Sequence, residues 1–387
     1  MEQARGGDMS TAIIDAREWQ NTFDLRTGAK VETDNPVVKF MRDVLCRHPY
    51  PGDTDPGSNA WVSNTALDLI AQYKPQLVFL AYAGQFFQSR YTQMNADERT
   101  EMYASVFTEV NRFIAESGFT PIILGTGGVT PFVDYIDVSR LDGLAITTHW
   151  SARYAGLHNA GSKDLKSLAK NPKIEKVLKR EDLLNLFCAS SDEAARVPDH
   201  ILLAKEGFSF KTSSGTMRKA LMLPARNFHI PVSCPMGNPG NITDICNIIE
   251  ETTKRHKTAV IILEGIGTNE FPKPYTRCLN GLDWYYYEPG EAQYLAVTTG
   301  EHRVFDYPVG YKYFEEEEET KQYPLSGYFT SIPKGMFADR FPGRSIAVGN
   351  KSMFMHMVTG ADLSVECFAR NLYNQGTMGV IHRHDKI

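Results

Sequence analysis

The run Leu77-Val78-Phe79-Leu80-Ala81-Tyr82 carries no charged or amide side chain at any of its six positions. Side chains of a strand alternate between two faces, so such a run belongs to a strand buried on both faces. A sheet covered by helices on both sides supplies that environment. Further buried strands are expected at Pro121–Leu124, Ile201–Ala204, Thr258–Leu263 and Ser345–Gly349. Between them lie helical patterns. Asn35–Cys46 reads as a helix with apolar positions Val37, Val38, Phe40, Met41, Val44 and Leu45, and Ser63–Gln72 repeats the device. Asn95–Glu116 has acidic residues near its start and Gly118 at its close, and Thr243–Arg255 is a further helix. Shorter strands are expected at Ser10–Ile14 and Leu144–Thr147. Leu165–Phe187 reads as two helical segments around Asn171-Pro172, the second starting after Lys179. Gln293–Val297 reads equally as strand or helical turn, and His382-Arg383-His384-Asp385 reads as a tail. The alternation predicts an α/β fold: a doubly wound, mostly parallel sheet with helices on both faces.

With 387 residues and 42% hydrophobic content the chain can bury a large core. It shows no internal repeat and no low-complexity linker, so residues 1–387 are expected to form one large domain. The formal charge of -5 and a pI near 6.1 argue against a nucleic-acid binder. The lysines of Lys163–Lys179 are spaced as the wet face of helices. No apolar run approaches the roughly 20 residues that span a bilayer. Residues 1–10 lack the apolar core of a secretory leader. The six cysteines are scattered without a CxxC pair, which fits a reducing compartment and gives no cysteine-based zinc site. The expected location is cytoplasmic, with neither membrane nor nucleic acid as partner.

Several stretches together resemble the alkaline phosphatase superfamily, in its nucleotide pyrophosphatase/phosphodiesterase branch. Lys74-Pro75-Gln76-Leu77-Val78-Phe79 is similar to the strand before that family's central metal motif. Pro121–Gly128 is similar to the segment ending in its second one. Pro198-Asp199-His200-Ile201 and Lys205–Phe210 resemble the approach to its last metal histidine. Ile230–Ile245 resembles its closing segment. The family's opening strand comes afterwards: Ala259–Gly267 resembles the first strand with its Asp-Gly motif, and Val297-Thr298-Thr299-Gly300 the region after the nucleophile. The resemblance implies an alkaline-phosphatase-like fold in permuted order. Segment 1–255 would correspond to the family's second half and segment 256–387 to its first.

The same resemblance implies a two-metal hydrolase site, yet the ligand positions are changed. The first Asp corresponds to Glu264. The central Asp and His fall near Gly84 or Gln85 and Gln88 or Ser89. The Asp-His pair falls on Thr126 and Gly127, the last histidine near Ser214, and the nucleophile within Glu288-Pro289-Gly290-Glu291, which has no hydroxyl. No metal and no cofactor are therefore expected. Two uses of the cleft stay open. In one, Glu264, Glu291 and His302 carry metal-free proton transfer. Thr126, Gly127 and Gly128, with the amides of Gly125–Gly128, then form an anion-holding turn joined by His149 and Ser214. In the other, the protein is a non-catalytic subunit, with Trp284-Tyr285-Tyr286-Tyr287 as interface or internal wall. The expectation is a diverged, metal-free protein that binds a small anionic or phosphorylated ligand or acts within a complex. A protein partner and a homo-oligomer, simplest as a homodimer, both remain open. The alternative is a metal-dependent phosphodiesterase or nucleotide pyrophosphatase hydrolase. The Glu315–Glu319 run reads as an exposed turn or helix start.

Overall fold

The computed structural model describes residues 9–15, 22–24, 35–147, 153–187, 197–212, 219–272, 274–302, 341–350, 355–367, 377–383 and 386–387. Its largest sheet has ten strands. In chain order they are β1 (Met9–Asp15), β2 (Thr22–Asp24), β3 (Leu77–Tyr82), β4 (Thr120–Gly125) and β5 (His229–Ser233). Then come β6 (Thr258–Leu263), β7 (Thr276–Leu279), β8 (Ser345–Gly349), β9 (Leu363–Cys367) and β10 (Thr377–Arg383). Their spatial order is β7-β5-β4-β6-β3-β8-β9-β10-β1-β2. The central strands β4, β6, β3, β8 and β9 are parallel. Both wings are antiparallel. β6 lies between β4 and β3, so segments 1–255 and 256–387 interleave in one sheet.

The described helices are α1 (Pro36–Arg47), α2 (Ser58–Tyr73), α3 (Gly84–Tyr91), α4 (Ala96–Ser117) and α5 (Ser162–Ala169). They continue as α6 (Arg180–Phe187), α7 (Asp244–Thr253), α8 (Glu291–Thr299) and α9 (Met355–Thr359). The two-fold period of the strands sorts the core. Val78, Leu80 and Tyr82, with Ala259, Ile261 and Leu263, pack with Val37, Met41, Trp61, Leu69 and Phe113 of α1, α2 and α4. Leu77, Phe79 and Ala81, with Val260 and Ile262, pack with Ile245, Ile249, Leu295 and Val358 of α7, α8 and α9. This is the doubly wound α/β architecture that the continuous apolar runs predict.

Local chemistry sets the ends of helices. Asn35 Oδ1 accepts from the Val37 and Val38 amides at 2.9 and 3.4 Å, with Pro36 in the first turn of α1. At α4, Asn95 Oδ1 accepts from Glu98 N at 2.9 Å while Glu98 Oε2 accepts from Asn95 N at 2.7 Å, a reciprocal capping box. Gly118 then closes α4 at φ 69°, a conformation glycine takes without a Cβ clash.

Leu144–Thr147, Tyr154–His158, His200–Ala204 and Ile174–Lys179 form a four-stranded antiparallel satellite sheet in that order. One sequence expectation is extended here and one is corrected. The two helical segments of Leu165–Phe187 are α5 and α6, the second starting after Lys179 as expected. Between them runs an unexpected strand, Ile174–Lys179, because pairing with His200–Ala204 satisfies its backbone over long range. The expected tail is instead the end of β10. His382 and Arg383 are only 2% and 8% exposed, because β9 and β1 flank them. Residues 384–385 lie outside the described residues.

Trp284–Tyr287 is an internal seam. Tyr285 stacks on Tyr154 of the satellite sheet at 5.0 Å, and the Arg153 guanidinium lies 4.6 Å above the Tyr286 ring. The Tyr154 hydroxyl donates to Tyr286 O at 2.9 Å. Among the described residues, no helix is long and apolar enough to cross a membrane.

Candidate functional site at the carboxyl edge of the sheet

Parallel strands end side by side, so the residues just past β4, β6, β3 and β8 are gathered at one edge. In α/β folds ligands bind there. This edge brings together Thr126, Glu264, Gln85 and Asn350, each buried. Glu264 carries the one carboxylate among these four. Its backbone N donates to Tyr82 O at 2.9 Å, which locks it to β3. Its Oε1 accepts from the Tyr294 hydroxyl at 2.7 Å. Burial, and then the charge and hydrogen bond of Glu264, push the Tyr294 phenol well above its ordinary value. The phenol is thus held as a donor to Glu264.

The remaining positions are carboxamides. Gln85 Nε2 donates to Glu264 O at 2.7 Å and to Tyr82 O at 2.8 Å. Gln85 Oε1 accepts from Asn59 Nδ2 at 2.9 Å. Asn59 Oδ1 in turn accepts from Gly84 N and Asn350 Nδ2, both at 3.1 Å. Asn350 Oδ1 accepts from Ala83 N at 2.7 Å. The amides at the start of α3 are thereby capped by side chains from α2 and from the residue after β8. Gly84 is required here: a Cβ would stand 2.3 Å from Ser58 Oγ. On the far side, Gln293 Nε2 donates to Thr126 O at 3.0 Å and to Asn280 Oδ1 at 2.9 Å.

The turn after β4 is also satisfied within the protein. Thr126 N donates to Leu263 O at 3.1 Å and Gly127 N to Ile266 O at 3.0 Å. Gly128 N donates to Asn227 Oδ1 at 3.0 Å, and Thr126 Oγ1 accepts from Gly265 N at 3.0 Å. Gly127 has φ +110° and lies against Asn227, whose Cγ would be 2.4 Å from an added Cβ. The turn therefore stitches β4 to β6 and to Asn227. These three amides already have protein acceptors, so they are not spare donors for an anion.

Of the residues expected to carry proton transfer, Glu264 accepts from the Tyr294 hydroxyl, and Glu291 stands three residues before Tyr294 at the start of α8, its charge adding to the rise in the phenol pKa. His302 follows Gly300, past the end of α8 opposite Glu291, with its Nδ1 3.4 Å from the Tyr287 hydroxyl. There its ring stacks on Tyr287 at 6.0 Å, and burial lowers its pKa. His149 and Ser214 lie outside the described residues. The sequence reading missed Asn59, Asn350, Gln293 and Asn280. Asn350, the first residue past an apolar strand, carries a usable signal. The other three carry none.

The donor set does not fit a zinc pair. Such a site takes carboxylates, imidazoles or thiolates, whereas Gln85 and Asn59 spend their hydrogen-bonding capacity on one another and on the backbone. Among the described residues, no three His, Cys, Asp or Glu side chains group to hold a metal ion. No protein-family model and no curated protein matches this chain.

Proposed function

We propose that this chain is a catalytically diverged, metal-free relative of the alkaline-phosphatase-like fold in permuted order, which binds a small anionic or phosphorylated molecule or works within a complex. One observation supports the reading: at the strand ends where the resembled family places metal ligands, this edge has hydrogen-bonded carboxamides, one of them on the Glu264 backbone carbonyl, and a single carboxylate that accepts from a phenol. Such a network rigidifies a cleft but supplies no positive charge to stabilise a transferring phosphoryl group. The permuted order needs only a short link between the resembled closing helix and opening strand. Residues 254–257 between α7 and β6 supply one.

Elemental analysis of protein purified without chelator tests this. Zinc well below one equivalent is expected. Two stoichiometric zinc ions, retained on dialysis, would overturn the proposal in favour of a metal-dependent phosphodiesterase.

A further inference from the structure

A groove of about 800 Å³ runs beside the carboxyl edge, a volume in the range of small-molecule sites. One wall is a stripe of α4 at four-residue spacing: Arg99, Tyr103, Phe107 and Asn111. The facing wall is Asn269 and Glu270 from the loop after β6. The groove adjoins the site already described. Glu270 Oε2 accepts from Gly267 N at 2.9 Å, three residues past Glu264, and a Cβ on Gly128 would stand 3.3 Å from it.

Arg99 is the unusual member. Among the described residues it has no carboxylate partner, and its one hydrogen bond is a long one, 3.5 Å from Nη2 to Met94 O. Its Nε is buried without an acceptor. A half-buried guanidinium is ordinarily paired, since its planar donors match carboxylate and phosphate. Tyr103 lies within reach of both charges in the groove. Burial raises its phenol pKa most, and among the charges Glu270 raises it and Arg99 lowers it. Phe107, braced edge-on by Phe271 at 5.3 Å, continues the aromatic wall.

We propose that this groove binds a small aromatic anion, its carboxylate or phosphate on Arg99, its ring along Tyr103 and Phe107, and an amino or hydroxyl donor toward Glu270. This deepens the binding reading above by giving its ligand class and moving the anion from the Gly125–Gly128 turn to Arg99. A guanidinium supplies charge-assisted donors that the turn lacks, and Glu270 penalises a second negative group near it.

The test is titration of the full chain with 4-aminobenzoate, phenyl phosphate and inorganic phosphate, followed by the arginine Nε–H resonances and by calorimetry. A saturable shift of the Arg99 signal with at least one aromatic anion is expected, with inorganic phosphate about tenfold weaker. The tighter aromatic arm identifies carboxylate or phosphate as the charged group. Arg99→Gln is expected to weaken binding about tenfold or more, and Arg99→Lys less. The proposal is overturned if no aromatic anion gives a saturable shift, or if folded Arg99→Gln and Arg99→Lys both bind as the parent does. Should Arg99→Gln not fold, the parent spectrum and Arg99→Lys decide. Zinc content is measured separately, so failure here leaves the metal-free reading standing.

Discussion

Two carboxylates are fully buried at the carboxyl edge, and they are held by different chemistry. Glu264 follows β6 and receives the Tyr294 hydroxyl. Glu366 lies near the end of β9, three strands away, or about 14 Å. It accepts from His356 Nδ1 at 2.9 Å, from the His356 amide at 3.1 Å and from Ser364 Oγ at 3.0 Å. Both rest on the same face, under α8 and α9, which are tied by Thr298 Oγ1 donating to Val358 O at 2.5 Å. The comparison teaches where the edge keeps its polarity. At Glu264 the carboxylate accepts from a phenol of α8, while the Gln85 carboxamide holds the residue's backbone carbonyl next to the cleft. At Glu366 the donors come from α9 and β9 alone, so the group fastens a short helix to a strand. Burying either charge is tolerable only because its acceptors are filled.

The sharpest way to break that comparison is to remove the acceptor with most donors. Glu366→Leu leaves the His356 ring, the His356 amide and Ser364 without their partner. A loss of about 4 kcal/mol is expected, read as a lower urea midpoint with unchanged slope. A loss under about 1 kcal/mol would show that α9 is held by packing alone. Tyr294→Phe strands only one side of Glu264, and a loss of about 2–3 kcal/mol is expected. Its pH dependence sets it apart. The folded phenol titrates well above 10.0 because burial, first, and Glu264 disfavour its anion. The unfolded chain ionises near 10, so the contribution is present below that pH and is lost as pH rises above it. Tyr294→Phe is expected to make alkaline unfolding shallower, and an unchanged alkaline limb would sink that account. Ser364→Ala, which removes one of three donors to Glu366, is expected to cost about 1 kcal/mol.

The difference between the two carboxylates also marks what the sequence could and could not reveal. β3, β6 and β8 were legible to the residue, because a strand buried on both faces must be apolar throughout. α4 was legible from Asn95 and Gly118. α3 was not: it opens on Gly84, and its first amides are capped by Asn59 and Asn350, which are distant in sequence. β10 was hidden because His382 and Arg383 look like surface residues until β1 and β9 pair around them. Glu264 and Thr126 were readable as strand-end residues. The carboxamide network was not, since Asn59, Gln85, Asn280, Gln293 and Asn350 follow no spacing and meet only through the crossing order of the sheet. His302 stands past the far end of α8 from Glu291, on the Tyr287 ring, a placement that its sequence position alone did not reveal.

His302 gives the smallest expected effect and sharpens the comparison from outside it. Burial lowers its pKa below the ordinary 6.5, while the charge of Asp244 opposes the shift. The unfolded chain therefore takes up a proton as pH falls past about 6.5, before the folded chain does. Its contribution is complete above that pH and declines as pH falls toward the folded value. The ring is partly exposed, so the decline is expected to be shallow. His302→Phe keeps a ring to stack on Tyr287 and removes the titration. The urea midpoints of parent and variant, compared between about pH 8 and pH 5, are expected to run parallel at the upper end and separate at the lower, with the parent losing more. Parallel curves throughout would mean that His302 is solvated in both states. Convergence with Tyr294→Phe at acid pH would instead mean that the two ends of α8 are electrostatically coupled, contrary to the separation that α8 imposes.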